Sequence, residues 1–352
     1  MSEHPNIQEA KRPERATADT VAKLAGVSRV AVSRAFNPHA SLKKEKRDLI
    51  LKIAKELGYT PDMAGRALVT RRSHLVGVIV PDVCSPWESQ EIDALTTALQ
   101  GEGFATLLFK TRTDQSMDER LLTYMKGFNL DSIIAFAENV SPDTLTHSLG
   151  RAVPIYVSYS EDGSLPNQPG STSVFDRLIV DQKTGIDQAV ALMQAYGCKD
   201  FAYLGGTTTS LANTERERAF KSIMKERGLP EPLVLQGDYT YETALASTLD
   251  LFKVGEGVDG IFSANDVGAF GVIDALRFQL GLRVPEDVKV VGFDDIAQSG
   301  WLSYNLTTVK IDLEDRVRAL VRLILRRLKD PNAPAMTETL QTRLIVRGTV
   351  GS

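Results

Sequence analysis

The sequence has few of the side chains that build metal centres and nucleophilic active sites, with only two cysteines and four histidines. Cys84 and Cys198 lie far apart without the short spacing of a zinc site, which also argues against a disulfide framework, and we expect both to be buried thiols. The histidines form no Ser/His/Asp or Cys/His set. The stretch from Gly205 to Thr209 only faintly resembles a phosphate loop, because no GxxxxGK[ST] motif accompanies it. The sequence therefore predicts no catalytic residues, no metal and no cofactor.

Long apolar runs are also missing. No stretch reaches the length of a membrane span, and the first residues, Met1 to Pro5, have neither the basic nor the apolar region of a secretory signal. We therefore expect a cytoplasmic protein without a membrane partner. At 352 residues, with 43% hydrophobic and 24% charged side chains, the chain has the composition of a globular protein of more than one domain.

Charge is distributed unevenly along the chain. Residues 1–73 hold 15 Lys and Arg against 8 Asp and Glu, a net charge of +7, whereas the remainder holds 26 against 37, a net charge of −11. A basic N-terminal region followed by an acidic remainder favours nucleic acid as a partner of the N-terminal region only.

The basic region contains a helix-turn-helix pattern. One face of a first short helix is formed by Val21, Ala22, Leu24 and Ala25. Gly26 supplies a tight turn, Ser28 caps a second helix, and Val32 and Phe36 of that helix face the first one. The side chains that point outward are Arg29, Val30, Ser33 and Arg34. Arginines and hydroxyls on such a face suit phosphates and base edges in a major groove, although two short amphipathic helices joined by glycine also occur in proteins that bind no DNA.

A third helix and a connecting segment complete this region. Thr17 is a candidate N-cap of the first helix, and residues 44–57 form an amphipathic helix, after which Gly58 provides a left-handed cap. The apolar face of that third helix is predicted to consist of Leu49, Ile50, Ile53, Ala54 and Leu57. Residues 1–15 have no periodicity and are predicted to be a disordered tail, residues 16–59 a DNA-binding domain, and residues 60–73 a hinge helix or a plain linker.

From residue 75 onward, short β-rich runs alternate with helical segments, which predicts parallel sheets covered by helices. The predicted strands are Leu75–Val80, Phe104–Phe109, Ser132–Phe136, Ile155–Val157, Leu178–Val180, Phe201–Leu204, Leu233–Leu235, Gly260–Phe262 and Val288–Gly292. In such sheets ligands bind outside the carboxyl ends of the strands. The polar residues at these ends are Asp82, Tyr159, Asn265, Asp266, Asp294 and Asp295.

These motifs resemble those of the lac-repressor family of bacterial transcription regulators. The resemblance rests on Val21-Ala22, Ala25-Gly26-Val27-Ser28, Val32-Ser33-Arg34, Phe36-Asn37, Leu57-Gly58-Tyr59-Thr60-Pro61, Ala64, Arg66-Ala67-Leu68, Val76-Gly77-Val78, Ala264-Asn265-Asp266, Val290-Val291-Gly292-Phe293-Asp294-Asp295 and Leu306-Thr307-Thr308-Val309. It covers nearly the whole chain after about residue 15.

The resemblance implies an all-α helix-turn-helix domain followed by an α/β periplasmic-binding-protein-like effector-binding and dimerisation domain at 74–352, with two parallel-sheet lobes joined by three chain crossings. One lobe would comprise about 74–180 with 311–335, and the other 181–310 with 336–352. Leu68 matches the hinge leucine that wedges into the minor groove. The implied DNA-binding residues are Thr17, Ser28, Arg29, Val30, Ser33, Arg34, Asn37, Arg66 and Leu68. The implied partner is a palindromic operator bound by a homodimer.

The resemblance also implies an effector site between the lobes. The matching cleft residues are Arg216, Asn265 and Asp294, and we add Trp87 and Tyr239 as aromatic candidates together with Asp82 and Tyr159. Structural alternatives stay open: Asp266 and Asp295 can cap helices, and Trp87 can belong to the core. Ile311 and Leu313 occupy positions at the cleft edge.

The expected function is that of a transcription repressor of a carbohydrate or related catabolic operon. Its allosteric effector would be a sugar, a sugar acid or a similar anionic metabolite. Two other classes are possible from the sequence. The two-lobed body fits a solute-binding protein, against which the basic beginning argues, and an enzyme would need the catalytic motifs that the sequence lacks. The operator, the effector and the direction of its effect are not specified.

Overall fold

The computed structural model describes residues 16–37, 40–61, 72–80, 83–111, 119–136, 145, 153–159, 175–253, 255 and 257–351. The chain divides into two compact units, residues 1–73 and residues 74–352. Within these described ranges, no helix is both long and apolar enough to cross a bilayer.

The first unit is built from three helices: α1 (Ala18–Ala25), α2 (Arg29–Ala35) and α3 (Lys44–Glu56). The hydroxyls of Thr17 and Ser28 accept the backbone N–H of Thr20 and Ala31, both at 3.3 Å, so each of the first two helices begins at the predicted N-cap. Gly26 ends α1 in the left-handed region at φ 62°. These local signals explain why a helix, a tight turn and a second helix follow one another here.

Val21, Val32 and Ile50, one from each helix, are at most 1% exposed and form the centre of this small core. Two predicted core positions are wrong. Leu24 is 61% exposed and Leu49 is 45% exposed. At 100° per residue each lies at the margin of its apolar face, and three short helices are too few to cover that margin.

The segment after α2 is tied to α3 through a single arginine. Arg47 donates hydrogen bonds to the carbonyl oxygens of Ala35, Asn37 and Ala40 at 2.7 to 3.1 Å. Phe36 packs edge-on against Tyr59, with ring centroids 5.8 Å apart. These contacts hold the second helix against the third although neither helix is long.

The second unit contains two six-stranded sheets. The strands are β1 (Leu75–Val80), β2 (Ala105–Lys110), β3 (Ser132–Ala135), β4 (Val153–Ser158), β5 (Asp176–Asp181), β6 (Phe201–Leu204), β7 (Leu233–Leu235), β8 (Gly260–Ser263), β9 (Lys289–Asp294), β10 (Thr307–Lys310), β11 (Thr337–Gln341) and β12 (Arg343–Ile345). The first sheet has the order β11-β5-β4-β3-β1-β2 and is parallel throughout. The second has the order β12-β10-β9-β8-β6-β7, and only β12 is antiparallel.

Helices cover these sheets, as the alternating pattern predicts. They are α4 (Pro86–Gly101), α5 (Glu119–Lys126), α6 (Lys183–Ala195), α7 (Leu211–Glu226), α8 (Tyr241–Lys253), α9 (Asp266–Asp274) and α10 (Leu313–Lys329), with a π-helical turn at Ala275–Gln279 and a 3-10 turn at Ala297–Gly300. The chain thus leaves the first sheet after β5, builds β6 to β10 of the second, and returns with α10 and β11.

The nine strands predicted from sequence are present, with ends shifted by at most two residues. One predicted lobe boundary is wrong. Residues 337–341 were expected in the second lobe, but β11 pairs with β5 in the first sheet, so the last crossing falls at Thr342. The sequence of β11 is mostly polar and lacks the alternation of apolar and polar residues that predicts a half-buried strand. Its outward side chains face solvent.

The two cysteines differ. Cys198 is buried, its thiol donates to the Asp259 carbonyl at 3.3 Å, and burial raises the pKa of that thiol to about 12. Cys84 is exposed, so the expectation of two buried thiols is wrong for this residue. It lies two residues before the start of α4, and Val83 beside it is also exposed.

Candidate functional site

The outer face of α2 is open to solvent. The side chains exposed on or beside this helix are Ser28, Arg29, Val30, Ser33, Arg34 and Asn37. Arg29 pairs with Asp19 at 3.1 Å, but both side chains are more than half exposed, so this ion pair is weak and leaves the arginine at the surface. Val30 is 59% exposed, so its side chain lies on this open face beside Arg29.

Three predicted site residues cannot be placed. Arg66, Leu68 and Asp82 lie outside the described residues. Thr17 is described, and its hydroxyl oxygen already caps α1. The role of all these residues in binding therefore stays a prediction.

In the second unit, Arg216 of α7 lies at the carboxyl edge of the second sheet. Its guanidinium carbon is 3.5 Å from the centroid of the Phe293 ring. Nε donates to Gln182 at 2.7 Å, and Nη1 donates to the carbonyl oxygen of Ala264. The side chain is only 4% exposed, so stacking and hydrogen bonds hold its positive charge in one place.

Asp294 ends β9 next to this arginine. Its backbone has φ 121°, which is unfavourable for a residue with a Cβ and is typical of functional positions. Within the described ranges its carboxylate forms no hydrogen bond. Burial raises the pKa of Asp294 well above its ordinary value; Arg216 opposes this shift, Asp266 and Glu88 add to it, and Arg316 opposes it. A carboxyl group with unused oxygens at a sheet edge can accept hydrogen bonds from a ligand.

Asn265 and Tyr239 both form contacts that stabilise the local structure. Asn265 caps α9 by accepting the N–H of Gly268 at 2.9 Å, and its amide donates to the Tyr239 carbonyl at 3.0 Å. The Tyr239 hydroxyl lies 3.1 Å from the Ser210 hydroxyl, and the ring lies where a Cβ on Gly206 would be. Both residues thus shape this edge of the sheet, and their predicted ligand contacts stay predictions.

Asp266 and Asp295 do not cap helices, so this structural alternative is wrong for both residues. Asp266 is fully buried and accepts from the Ile296 N–H at 3.0 Å, the Ser299 hydroxyl at 2.6 Å and the Thr308 hydroxyl at 2.5 Å. The Asp295 carboxylate forms ion pairs with Arg347 at 2.6 Å and with Lys310 at 3.3 Å. Both carboxylates therefore tie the second sheet to its neighbouring loops.

The first lobe contributes an aromatic wall at the carboxyl edge of its own sheet. Trp87 is 9% exposed and packs against the core, as the structural alternative expects, and its contact with a ligand stays a prediction. Phe136 and Tyr159 follow directly after β3 and β4. Ile311 is only 2% exposed and belongs to the core cluster rather than to the cleft edge.

Sequence reasoning missed a buried ion pair beneath this wall. Arg316 of α10 is 0% exposed and its guanidinium pairs with Glu91 of α4. A signal was present: Arg316 lies three residues after Leu313 and four before Leu320, within the apolar stripe of α10. An arginine in such a stripe needs a buried partner.

Comparisons with known proteins agree with this architecture. Residues 17–62 match the model for bacterial regulatory proteins of the lacI family, and residues 190–350 match that for the periplasmic binding protein-like domain. The HTH-type transcriptional regulator CelR of Thermobifida fusca is 30% identical over 344 residues, which are 96% of this chain and 99% of that protein.

Solved structures show the same fold. A lac repressor dimer bound to operator and the anti-inducer ONPF matches with a TM-score of 0.83 and 21% identity, over 96% of this chain and 100% of the other. A complex of the transcriptional regulator CelR with cellobiose matches with a TM-score of 0.68 and 26% identity, over 95% and 100%. The relatives are transcriptional regulators rather than enzymes, and this chain belongs to the lacI family of bacterial regulatory proteins.

Proposed function

We propose that the protein is a homodimeric repressor that binds a palindromic operator and is controlled by a small polyhydroxylated metabolite held between its two lobes. The observation that carries the proposal is the solvent-exposed face of α2, where two arginines flank Val30 and Ser33. A helix of seven residues with its N-terminus capped by Ser28 presents these groups rigidly enough to read a major groove. Action on chromosomal DNA places the protein in the cytoplasm.

The effector site in this proposal is formed where the carboxyl edges of the two sheets meet. Arg216 and Asp294 supply a donor and an acceptor from the second lobe, and Trp87 and Tyr159 supply aromatic faces from the first. Aromatic rings combined with few polar groups are typical of small-molecule sites. CelR, which is 26% identical to this chain in its solved structure, binds cellobiose in that complex. This similarity supports a carbohydrate ligand for the present site.

An exposed apolar patch on the second lobe supports self-association. Phe278 is 76% exposed, Trp301 55% and Leu302 98%. Arg277 donates to the Ser303 carbonyl at 2.7 Å, which brings the two segments that carry these side chains together. Exposure of clustered apolar side chains to water is unfavourable unless another protein surface covers them. For a regulator that binds a palindrome, the surface that fits this symmetry is a second copy of the same chain.

The connection at 60–73 is proposed to transmit the effector signal. A helix this short is too weak to fold alone, so it would form only when both copies present it to DNA with the correct spacing. Arg66 and Leu68 would then contact the minor groove, and a change of lobe angle would change hinge order.

The test is a titration of fluorescent DNA taken from the region beside the protein's own gene, with and without candidate sugars. We expect binding to a palindromic fragment and not to a scrambled fragment of equal length, with a strong decrease as salt rises. At least one sugar should shift the operator affinity, and operator DNA should shift the affinity for that sugar by the same factor. Equal affinity for both fragments would contradict the proposal.

A further inference from the structure

Two arginines lie in the buried face of α10, three turns apart. Arg327 is 2% exposed and pairs with the buried Asp176 through Nε at 3.2 Å and Nη2 at 2.6 Å. Its Nη1 donates to the Ala333 carbonyl. Every guanidinium nitrogen of Arg327 therefore has an acceptor within the protein, as expected for an arginine that only stabilises the fold.

Arg316 differs at one nitrogen. Nε and Nη2 donate to the carboxylate of Glu91, and Nη2 also donates to the Tyr159 hydroxyl at 3.1 Å. Nη1 is buried and has no hydrogen-bond partner within the described part of the chain. A buried N–H of a charged group without an acceptor is unfavourable, and such groups are rare in folded proteins. None of the described residues supplies an acceptor for Nη1, so a ligand oxygen can take that place.

The position of Arg316 shows where that acceptor would come from. Its guanidinium carbon is 6.0 Å from the Trp87 ring, 5.5 Å from the Phe136 ring and 5.7 Å from the Tyr159 ring. Its charge also lowers the pKa of Asp294, which ends β9 of the other sheet. The guanidinium is thus at the carboxyl edge of the first sheet, among the aromatic rings, and within electrostatic reach of the second lobe.

The charges around this point decide which kind of acceptor fits. The positive charge of Arg316 is already balanced by Glu91, with which its guanidinium pairs. Glu88 adds a further negative charge near Asp294. An acidic ligand group at Nη1 would therefore gain no net positive charge from the Arg316–Glu91 pair and would be repelled by the Glu91 and Glu88 carboxylates, whereas a neutral hydroxyl or ring oxygen needs only the N–H.

We propose that Arg316 is a specificity-determining residue of the effector site and selects a neutral carbohydrate, whose oxygen accepts the Nη1 hydrogen bond while its apolar face lies against the aromatic wall. Glu91 acts as a positioning residue, because it holds the guanidinium by the other two nitrogens. This inference rests on the proposed function and narrows its effector from sugars and sugar acids to neutral sugars. Since Arg316 is 0% exposed, the lobes must separate for the ligand to enter.

The experiment uses isothermal titration calorimetry on the full-length protein with matched pairs of neutral sugars and their uronic acids: glucose and glucuronate, galactose and galacturonate, cellobiose and cellobiouronate. We expect a neutral member to bind at least about tenfold more tightly than its acid. Arg316→Lys keeps the positive charge against Glu91 but replaces the three guanidinium nitrogens by one ammonium nitrogen, which cannot hold Glu91 and reach the ligand as the planar guanidinium does. It should weaken binding about tenfold to a hundredfold. Arg327→Lys is the matched control on the same helix and should leave binding unchanged.

If Arg316→Lys fails to fold, judged by circular dichroism and thermal melting, the double variant Arg316→Met/Glu91→Leu removes both charges together and avoids an unpaired buried ion. It should show the same loss of sugar binding. Tighter binding of the acid, or full affinity of a folded Arg316 variant for a neutral sugar, would overturn the inference and leave the proposed function standing. If no sugar of either kind binds or shifts operator affinity, the sugar effector fails and the inference fails with it.

Discussion

The guanidinium carbon of Arg216 lies 3.5 Å from the centroid of the Phe293 ring, and this stacking places its positive charge beside Asp294, the next residue along β9. The second lobe thus presents a fixed cation and a carboxyl group with unused oxygens at one sheet edge. The positive φ of Asp294 is a strained backbone conformation at this sheet edge.

The first prediction concerns effector response. Asp294→Ala should weaken binding of the effector sugar by at least about tenfold, because hydrogen bonds between a carboxyl group and sugar hydroxyls are lost. Operator affinity without sugar should stay within about twofold, since DNA is bound by the other unit. Calorimetry and operator titration measure the two affinities. Asp294→Asn is a second variant, because asparagine tolerates a positive φ better than alanine does. A folded Asp294→Ala protein with full sugar response would show that the site is elsewhere.

The second prediction concerns base reading. Arg29 and Val30 begin the exposed recognition helix, and we expect them to discriminate between operators. Replacement of both, for example by the Arg29→Gln/Val30→Ala double variant, should change the preferred sequence at a few positions of each half-site, by about 1–3 kcal/mol per base pair. Selection from a randomised operator library measures this preference. An identical preferred sequence would refute the assignment.

The third prediction separates phosphate contact from base contact. Arg34→Ala should weaken binding to all operator sequences by a similar factor, and should reduce the slope of log affinity against log salt by about 1 if the arginine neutralises one phosphate. The exposed Lys52 of α3 offers a control, since Lys52→Ala removes the same charge from the third helix. A loss confined to one operator sequence would identify Arg34 as a base-reading residue instead.

Much of this architecture could be predicted from sequence because it depends on local signals. Thr17, Gly26 and Ser28 specify helix ends by backbone conformation and capping, and the nine apolar strands follow from short β-rich runs. Arg316 and Glu91 could not be paired in this way, because 225 positions separate them and their contact depends on two helices packing together. The position of β11 was missed for a related reason: its pairing with β5 is decided by tertiary structure and not by its own polar sequence.

The fourth prediction concerns assembly. Leu302→Asp combined with Phe278→Asp should convert the dimer into monomers, because each change places a charge in the proposed interface. Tyr124 of α5, 63% exposed in the first lobe, provides the control, and Tyr124→Asp should remain dimeric. Analytical ultracentrifugation without DNA measures the mass. A double variant that sediments as a dimer would place the interface on another face.

The last prediction is a pH dependence of stability centred on Asp266. Burial raises the pKa of this carboxyl from 3.8 to about 7, even though three hydrogen-bond donors oppose the shift. The folded protein therefore holds this proton more tightly than the unfolded chain does. Its contribution to the free energy of unfolding is full below about pH 4 and is lost as the pH rises towards 7, by an amount on the order of a few kcal/mol.

Asp266→Asn removes the titration while its carbonyl oxygen can still accept the Ile296 N–H and the Ser299 hydroxyl, and the Thr308 hydroxyl can rotate to accept from its amide. Denaturant unfolding of both proteins from pH 4 to pH 8 measures the difference. We expect the wild-type free energy of unfolding to fall relative to the variant over pH 4 to 7 and the two curves to run parallel above pH 7.5. Because Asp266 itself adds to the raised pKa of Asp294, the same comparison is repeated in an Asp294→Asn background, which removes the titration of Asp294 from both proteins. Parallel curves over the whole range would mean that Asp266 is already ionised at pH 4, and that its three donors outweigh its burial.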